Sequence, residues 1–368
     1  MSRSPAAIER EIASLAGRGE DADTFSLAAM EVLRDAVPFD GACLARTDPA
    51  TSLLTGARKL DVDDARDDLF AVFEYGEADV NLFLDLARRD DPVGVLSRDA
   101  VDGLERSDRW REFLVPLFGF HDELRAVFRD EQGRAFGGLA LFRGADRPAF
   151  SPAEAAFVGR MSPWFLAGLR AGLVAGAASR ALTSSGPAVV VVGADGSVSM
   201  ATPAADAQLE LIGGSLDDLP LPFHAVVGAA RRLQAGRSSA VPRLRVRGAD
   251  GGWLVVHAAP LLEGDGTSAR VAVTLEPARA PEVLPLVVAA LGLTPRETEV
   301  VQRVLRGEST QEIGRGLHLS PYTVQDHLKA VFDKAGVRSR RELIGRVFAD
   351  HYGPRWGGEV GTEGGLER

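Results

Sequence analysis

The sequence predicts a multidomain chain: two α+β units followed by an all-α domain of four short helices. Three observations point there. Residues 294–348 hold three capping boxes and one serine–proline start, each opening a short apolar stripe. Residues 1–180 and 184–278 each set short strands around helices. A chain of 368 residues, 45% of them apolar, is long enough for two or three domains with cores of their own.

From the N-terminus, residues 7–16 and 25–36 read as helices. Phe39 to Arg46 and Ser52 to Leu60 read as strands joined by a turn at Asp48-Pro49. A charged, mostly helical stretch runs to about residue 118. Glu123 to Asp130 and Ala135 to Arg143 form a hairpin around Gln132-Gly133. Ser151-Pro152-Ala153-Glu154 is a capping box, and it opens a long helix to about residue 176. The stripe of that helix is Phe157, Met161, Trp164, Phe165 and Leu169. Phe39, Phe70, Phe73, Trp110, Phe113, Phe118 and Phe120 either line a pocket in this first unit or are simply its core.

A Ser/Gly/Pro break at Thr183 to Pro187 separates the second unit. Ala188 to Val192 is a strand, Asp195-Gly196 a turn, and Ser197 to Met200 a second strand. Helical segments follow at 203–211 and 222–235, then strands at Arg243 to Arg247, Trp253 to Ala258 and Ala269 to Leu275. Trp253 and His257 share one face of their strand, where a lone histidine is more often structural than a ligand. Glu276 to Pro285, with three prolines, reads as a linker to a short helix before Leu293.

Thr294-Pro295-Arg296-Glu297 opens the first C-terminal helix, whose apolar face is Val300, Val301, Val304 and Leu305 and whose stop is Gly307. Ser309-Thr310-Gln311-Glu312 opens a second helix of two or three turns on Ile313 and Leu317. Ser320 caps a third, with Pro321 at its first position and Val324, Leu328, Val331 and Phe332 on one narrow face. Gly336 ends it, and Ser339-Arg340-Arg341-Glu342 opens the fourth. Two short helices joined by about three residues make a helix-turn-helix. The outer face of the third helix, near its start, carries Gln325, Asp326 and Lys329. That end enters the major groove in such proteins. Gln can pair with adenine, Lys with guanine, and Asp can accept from cytosine N4. Asp326 is open between that role and a solvated or Arg-paired surface acid.

Composition narrows the function classes. No run of 18 apolar residues offers a membrane span, and Met1 to Pro5 has no apolar signal core. The single cysteine, Cys43, cannot form an intramolecular disulfide; it fits a reducing cytoplasm and reads as a buried structural thiol. Net charge is −10, yet residues 294–350 hold ten Lys/Arg against eight Asp/Glu, so the acidity lies in the rest of the chain. An acidic body repels DNA and confines contact to the C-terminal module. Lysine occurs only at 59, 329 and 334, and the arginine-, alanine-, glycine- and valine-rich remainder points to a GC-rich bacterial genome. No lysine stands in a P-loop context, and none stands late enough in the first 279 residues to serve a phosphoacceptor receiver domain. Six scattered histidines and one cysteine make no metal site, and no haem or flavin motif, nucleophile or paired-carboxylate arrangement stands out. The expectation is no cofactor, no metal and no enzyme.

Residues 293–348 resemble the DNA-binding domain of LuxR-type (NarL/FixJ-type) transcription regulators. The resemblance rests on Leu293-Thr294-Pro295-Arg296-Glu297-Thr298-Glu299-Val300, on Thr310, Glu312-Ile313, Leu319-Ser320, Thr323-Val324, His327, Lys329 and Lys334, and on Gly336-Val337-Arg338-Ser339-Arg340. It places Gln325, Asp326 and Lys329 where the family touches bases. It places Thr310, Tyr322, Thr323, His327, Arg338 and Arg340 at or near phosphate contacts, with His327 open between that and packing. Gly314 departs from the family's usual alanine, at roughly 1 kcal/mol of helix propensity, and marks a close helix–helix approach. The order of elements before residue 180, with Pro38-Phe39-Asp40-Gly41-Ala42 and Gly137-Gly138-Leu139-Ala140-Leu141-Phe142, resembles a GAF sensor domain. Two strands, helices, then three strands over residues 184–278 resemble a PAS domain.

The expected organisation is therefore a GAF-like domain over 1–180 with a long exit helix, a PAS-like domain over 184–278 and a linker over 279–292. A LuxR-type helix-turn-helix domain over 293–350 and a flexible, glycine-rich tail over 351–368 complete it. The expected function is a cytoplasmic transcription regulator that binds double-stranded DNA as a homodimer, with a small-molecule effector in the sensor domains. The alternative is a small-molecule sensor or protein-interaction protein whose helix-turn-helix does not itself bind DNA.

Overall fold

The computed structural model describes residues 4–62, 66–76, 78–175, 187–262 and 270–352. The break at Thr183 falls largely outside these residues, as does the tail beyond Tyr352. Helix α1 (Pro5–Ala16) starts on the Ser4 cap and buries Ile8, Ile12 and Leu15. The Asp21 carboxylate opens α2 (Ala22–Arg34) by accepting from the amides of Asp23 and Thr24, both at 3.0 Å. Strands β1 (Gly41–Thr47) and β2 (Leu54–Leu60) follow.

The stretch up to residue 118 holds α3 (Asp67–Tyr75), α4 (Phe83–Leu86), α5 (Leu96–Asp99), a 3-10 turn, a π turn (Trp110–Leu114) and α6 (Val115–Phe118). It also holds a strand that the sequence reading omits, β3 (Val93–Val95). Three residues are too few for a period-2 pattern to register. β3 exists because it pairs with β4 (Phe120–Arg129), Val93 facing Ala126 and Val95 facing Leu124. β5 (Ala135–Gly144) completes an antiparallel sheet of order β2-β1-β5-β4-β3. The capping box at Ser151 opens α7 (Pro152–Val174), which packs on β3, β4 and β5 while α2 packs on β1 and β2. Phe157, Met161, Phe165 and Leu169 of α7 are buried as expected. Trp164 is not: it is 36% exposed, because it lies one position off the inward face.

Charge, and not only carbon, holds the insert to this sheet. Arg125 donates to Glu123 at 2.8 Å and to Glu74 at 2.7 Å, and Arg109 donates to the other Glu123 oxygen at 2.8 Å. All four side chains are fully buried. Burial pushes the Glu123 carboxyl up, but the two guanidinium groups outweigh it and hold the group below its ordinary range.

The second sheet is built from β6 (Ala188–Val192), β7 (Val198–Ala201), β8 (Arg243–Arg247), β9 (Trp253–Pro260) and β10 (Val271–Pro277). Its order is β7-β6-β10-β9-β8, so in both sheets the first strand lies between the second and the fifth. Helices α8 (Ala205–Leu211) and α9 (Leu221–Gln234) lie between β7 and β8 in sequence. Trp253 is buried and His257 half-buried, facing Arg243 and Thr274 in register.

Both sheets belong to one compact unit. α9 packs on β8, β9 and β10 of its own sheet and on β2 and α3 of the other. Where it crosses α3, a Cβ on Gly228 would lie 2.5 Å from the Tyr75 Cβ, so only glycine permits that approach. Asp48, in the turn after β1, accepts twice from the Arg245 guanidinium of β8, at 2.8 and 2.5 Å.

The helices from residue 278 onward belong to a second unit. The segment expected as a linker up to Pro285 is helical: α10 spans Ala280–Ala290. Pro281 sits in the first turn, where its missing N–H costs nothing. Pro285 lies inside the helix and costs about 3 kcal/mol. Full burial of Val283, Leu286 and Val287, at roughly 1.5–3 kcal/mol each, outweighs that. Helices α11 (Pro295–Leu305), α12 (Thr310–Leu317), α13 (Pro321–Ala335) and α14 (Arg340–Tyr352) follow at the expected starts.

Candidate functional site

Helices α11, α12 and α13 are started by the caps their sequence advertises; at α14 Ser339 accepts from the Glu342 amide at 3.1 Å while the Glu342 carboxylate accepts from the amide of Arg338 at 2.8 Å. Thr294 and Glu297 exchange their reciprocal bonds at 2.7 and 3.3 Å, as do Ser309 and Glu312. Ser320 accepts from the amide of Thr323 at 3.0 Å. The C-terminal carbonyls of α12 are satisfied from α11: Arg296 donates to Leu317 at 2.5 Å and Arg303 to Gly316 at 3.2 Å. Lys334 of α13 donates to Glu297 of α11 at 2.6 Å. Burial raises the Glu297 carboxyl, but the Lys334 and Thr294 hydrogen bonds win and hold it below the usual glutamate range.

The turn between α12 and α13 is tight. The Leu319 amide donates to the Gly314 carbonyl at 2.8 Å, and His318 takes left-handed angles, φ 55° and ψ 42°. A Cβ on Gly314 would lie 2.8 Å from the Leu319 carbonyl oxygen. The close approach at Gly314 is thus to the turn backbone, within a single helix-turn-helix.

α13 presents two faces. Val324, Leu328 and Val331 are buried, while Gln325, Asp326 and Lys329 are exposed beside Tyr322, itself 74% exposed. Thr310, Thr323 and His327 are half-buried, and Thr323 shares a 2.8 Å hydroxyl contact with Ser320. Arg338 is exposed. Arg340 is half-buried and donates to the Glu308 carbonyl, so it joins α14 to the loop before α12. The sequence offers no signal for that structural duty.

Residues 291–347 match the family model GerE, "Bacterial regulatory proteins, luxR family". The C-terminal unit therefore carries a luxR-family helix-turn-helix domain. The same segment makes this chain similar to the transcriptional regulatory protein ComA of Bacillus subtilis, 42% identical over 52 residues, which is 14% of this chain and 24% of ComA. It is also similar to the monoamine regulon transcriptional regulator of Klebsiella aerogenes, 38% identical over 82 residues, 19% of this chain and 36% of that protein. The chain spans between 6% and 36% of the length of such curated relatives, so the luxR-type identity covers this domain alone. A solved structure of Escherichia coli SdiA covers 95% of this chain and 98% of its own at 12% identity, with a TM-score of 0.31.

The aromatic residues of the first sheet divide. Phe70, Phe113, Phe118 and Phe120 line a cavity. Phe73 packs behind it on Phe113, ring centres 5.6 Å apart, and Trp110 donates to the His121 carbonyl at 3.0 Å. Phe39 lies elsewhere, under the Arg34 guanidinium at 4.6 Å. Cys43 is half-buried and lines the cavity, so it is less enclosed than the sequence suggests. The sequence reading missed Phe83, Phe142, Lys59, Asp67 and Leu221, which also line it. Phe142 was legible, since it shares a strand face with Ala140; Leu221 was not, since it belongs to the other sheet's helix. Among the described residues, no cluster of His, Cys, Asp and Glu could hold a metal, and no helix is long and apolar enough to cross a membrane.

Proposed function

We propose that this chain is a sequence-specific, DNA-binding transcription regulator, cytoplasmic and homodimeric, whose DNA binding is modulated by its N-terminal domains. The observation that carries the reading is the exposed row of Gln325, Asp326 and Lys329 near the start of α13, opposite a buried stripe in a luxR-type domain. In this reading those three side chains meet base edges. Thr310, Tyr322, Thr323, His327, Arg338 and Arg340 meet phosphates, Arg340 while also holding Glu308. The first sheet with its helices is GAF-like and the second PAS-like, which the shared strand order supports. Domain limits of 1–180, 184–278 and 293–350 belong to the same proposal, with α10 in place of a linker.

The test is a selection of bound sequences from random DNA at several salt concentrations, with the full chain and residues 278–368 side by side. Recovery of one common site by both supports the regulator reading. A site bound by the fragment alone makes the N-terminal domains inhibitory. Failure of both to enrich any sequence refutes DNA recognition and favours an interaction protein.

A further inference from the structure

Only three of the chain's 42 lysines and arginines are lysine, at 59, 329 and 334. That scarcity matters for chemistry at nitrogen. A guanidinium stays protonated at any physiological pH, whereas a lysine amine can shed a proton and attack an electrophile. Apart from its α-amino group, the chain therefore offers three such amines, and the fold treats them unequally. The Lys59 side chain is 13% exposed, and its amine is bound by the Asp67 carboxylate at 2.5 Å. The Lys334 side chain is 38% exposed, so burial does not shield it; the Glu297 carboxylate occupies its amine at 2.6 Å. An amine so occupied must leave its carboxylate before it can react. Lys329 has neither restraint. It is exposed on the outer face of α13, and among the described residues no carboxylate pairs with it, although Asp326 and Asp333 stand three and four positions away on the same helix.

We propose that Lys329 is a site of Nε-acylation by an acyl phosphate or an acyl thioester, and that the modification switches off DNA recognition. The step needs no oxidant or reductant. The Lys329 ammonium loses a proton to solvent, and the free amine attacks the acyl carbonyl. A C–N bond forms as the C–O bond to phosphate or the C–S bond to the thiol breaks. The departing phosphate or thiolate takes the electron pair and the second amine proton, and a neutral amide remains. That amide keeps one N–H where the ammonium had three donors and carries no charge, so pairing with guanine and attraction to the DNA backbone weaken together. Residues 294–350 hold a formal excess of only two cations, so this single acylation halves it. The selectivity for Lys329 stands whether or not the C-terminal domain binds DNA; only the switch rests on that reading.

The experiment treats the full chain with acetyl phosphate in one arm and acetyl-coenzyme A in the other, and follows each lysine by peptide mass spectrometry. Lys329 should be acetylated about tenfold faster, or more, than Lys59 and Lys334 in at least one arm, and the arm that reacts names the donor. Equal rates at the three lysines, or no acetylation of Lys329 in either arm, overturns the site. Glu297→Gln keeps an acceptor for the Thr294 amide and removes the charge that holds Lys334. It should speed acetylation of Lys334 and leave that of Lys329 unchanged; no change at Lys334 overturns ion pairing as the basis of the selectivity. Acetylation of Lys329 should weaken binding to the selected DNA site by roughly five- to 150-fold, while Lys329→Ala, already weakened, should lose nothing more on treatment. Full acetylation of Lys329 with unaltered affinity overturns the switch. Failure of the untreated chain to bind any DNA sinks the regulator reading instead, and leaves the three acetylation rates to decide the site.

Discussion

Lys329 offers the most direct test at the scale of one side chain. It is exposed, so its removal leaves packing alone. Lys329→Ala should weaken specific DNA binding by about 1–3 kcal/mol and leave thermal unfolding unchanged. A gel-shift series with unaltered affinity would remove it from base recognition. Asp48 is the opposite case, 2% exposed and bonded to a guanidinium that is also largely buried. Asp48→Ala takes a buried carboxylate from the Arg245 guanidinium, and breaking such a pair costs about 3–5 kcal/mol. Chemical denaturation of the full chain should lose that much from the first unit's transition. Glu297 gives a pH test. Its carboxyl is held low in the fold, so its contribution is complete above the ordinary glutamate range and disappears as pH falls through the lowered value. Lys334→Met should therefore destabilise by about 1 kcal/mol at neutral pH, allowing for the partial exposure of Lys334. The gap in melting temperature should close in acid; a gap that persists at pH 2 would refute the ion pair as its source.

Among the elements, α12 shows where propensity and packing disagree. Gly314→Ala gains roughly 1 kcal/mol in helix propensity. The new Cβ would stand 2.8 Å from the Leu319 carbonyl, closer than packed atoms tolerate, and overpacking of that kind costs about 1–3 kcal/mol. Packing should win: the variant is expected to melt lower, and a rise in melting temperature would show that the turn yields. α10 shows the same contest with the other sign of surprise. Pro285 argues against a helix there, and buried valine and leucine overrule it. β3 is the third instance, a strand of three residues that only its partner β4 defines. Capping chemistry is local and was legible residue by residue at Thr294, Ser309, Ser320 and Ser151. Burial and pairing are non-local and were not.

For the whole molecule, charge makes the clearest prediction. Residues 294–350 carry a formal excess of two cations while the full chain carries −10. The acidic remainder repels DNA over roughly 10 Å at 0.1 M salt and much further at low salt. The full chain should therefore associate with DNA more slowly than residues 278–368 at low ionic strength. Stopped-flow rates of the two should converge as salt rises. A constant ratio would show that the N-terminal domains act by contact and not by field.

The sequence by itself determined the four helix starts from Thr294 to Ser339, the inward and outward faces of α13, and nine of the ten described strands to within a few residues. Those features depend on neighbours in the chain: a serine oxygen and the amide three residues on, or side chains spaced by one helical turn. Only the tertiary structure decided that two sheets with no visible sequence repeat share one strand order. It also decided that Glu74, Arg109, Glu123 and Arg125 meet in one buried network of ion pairs, and that Leu221 closes a cavity belonging to the other sheet. Each of these joins residues tens to nearly two hundred positions apart, and spacing along a chain carries no record of which distant partners burial will bring together.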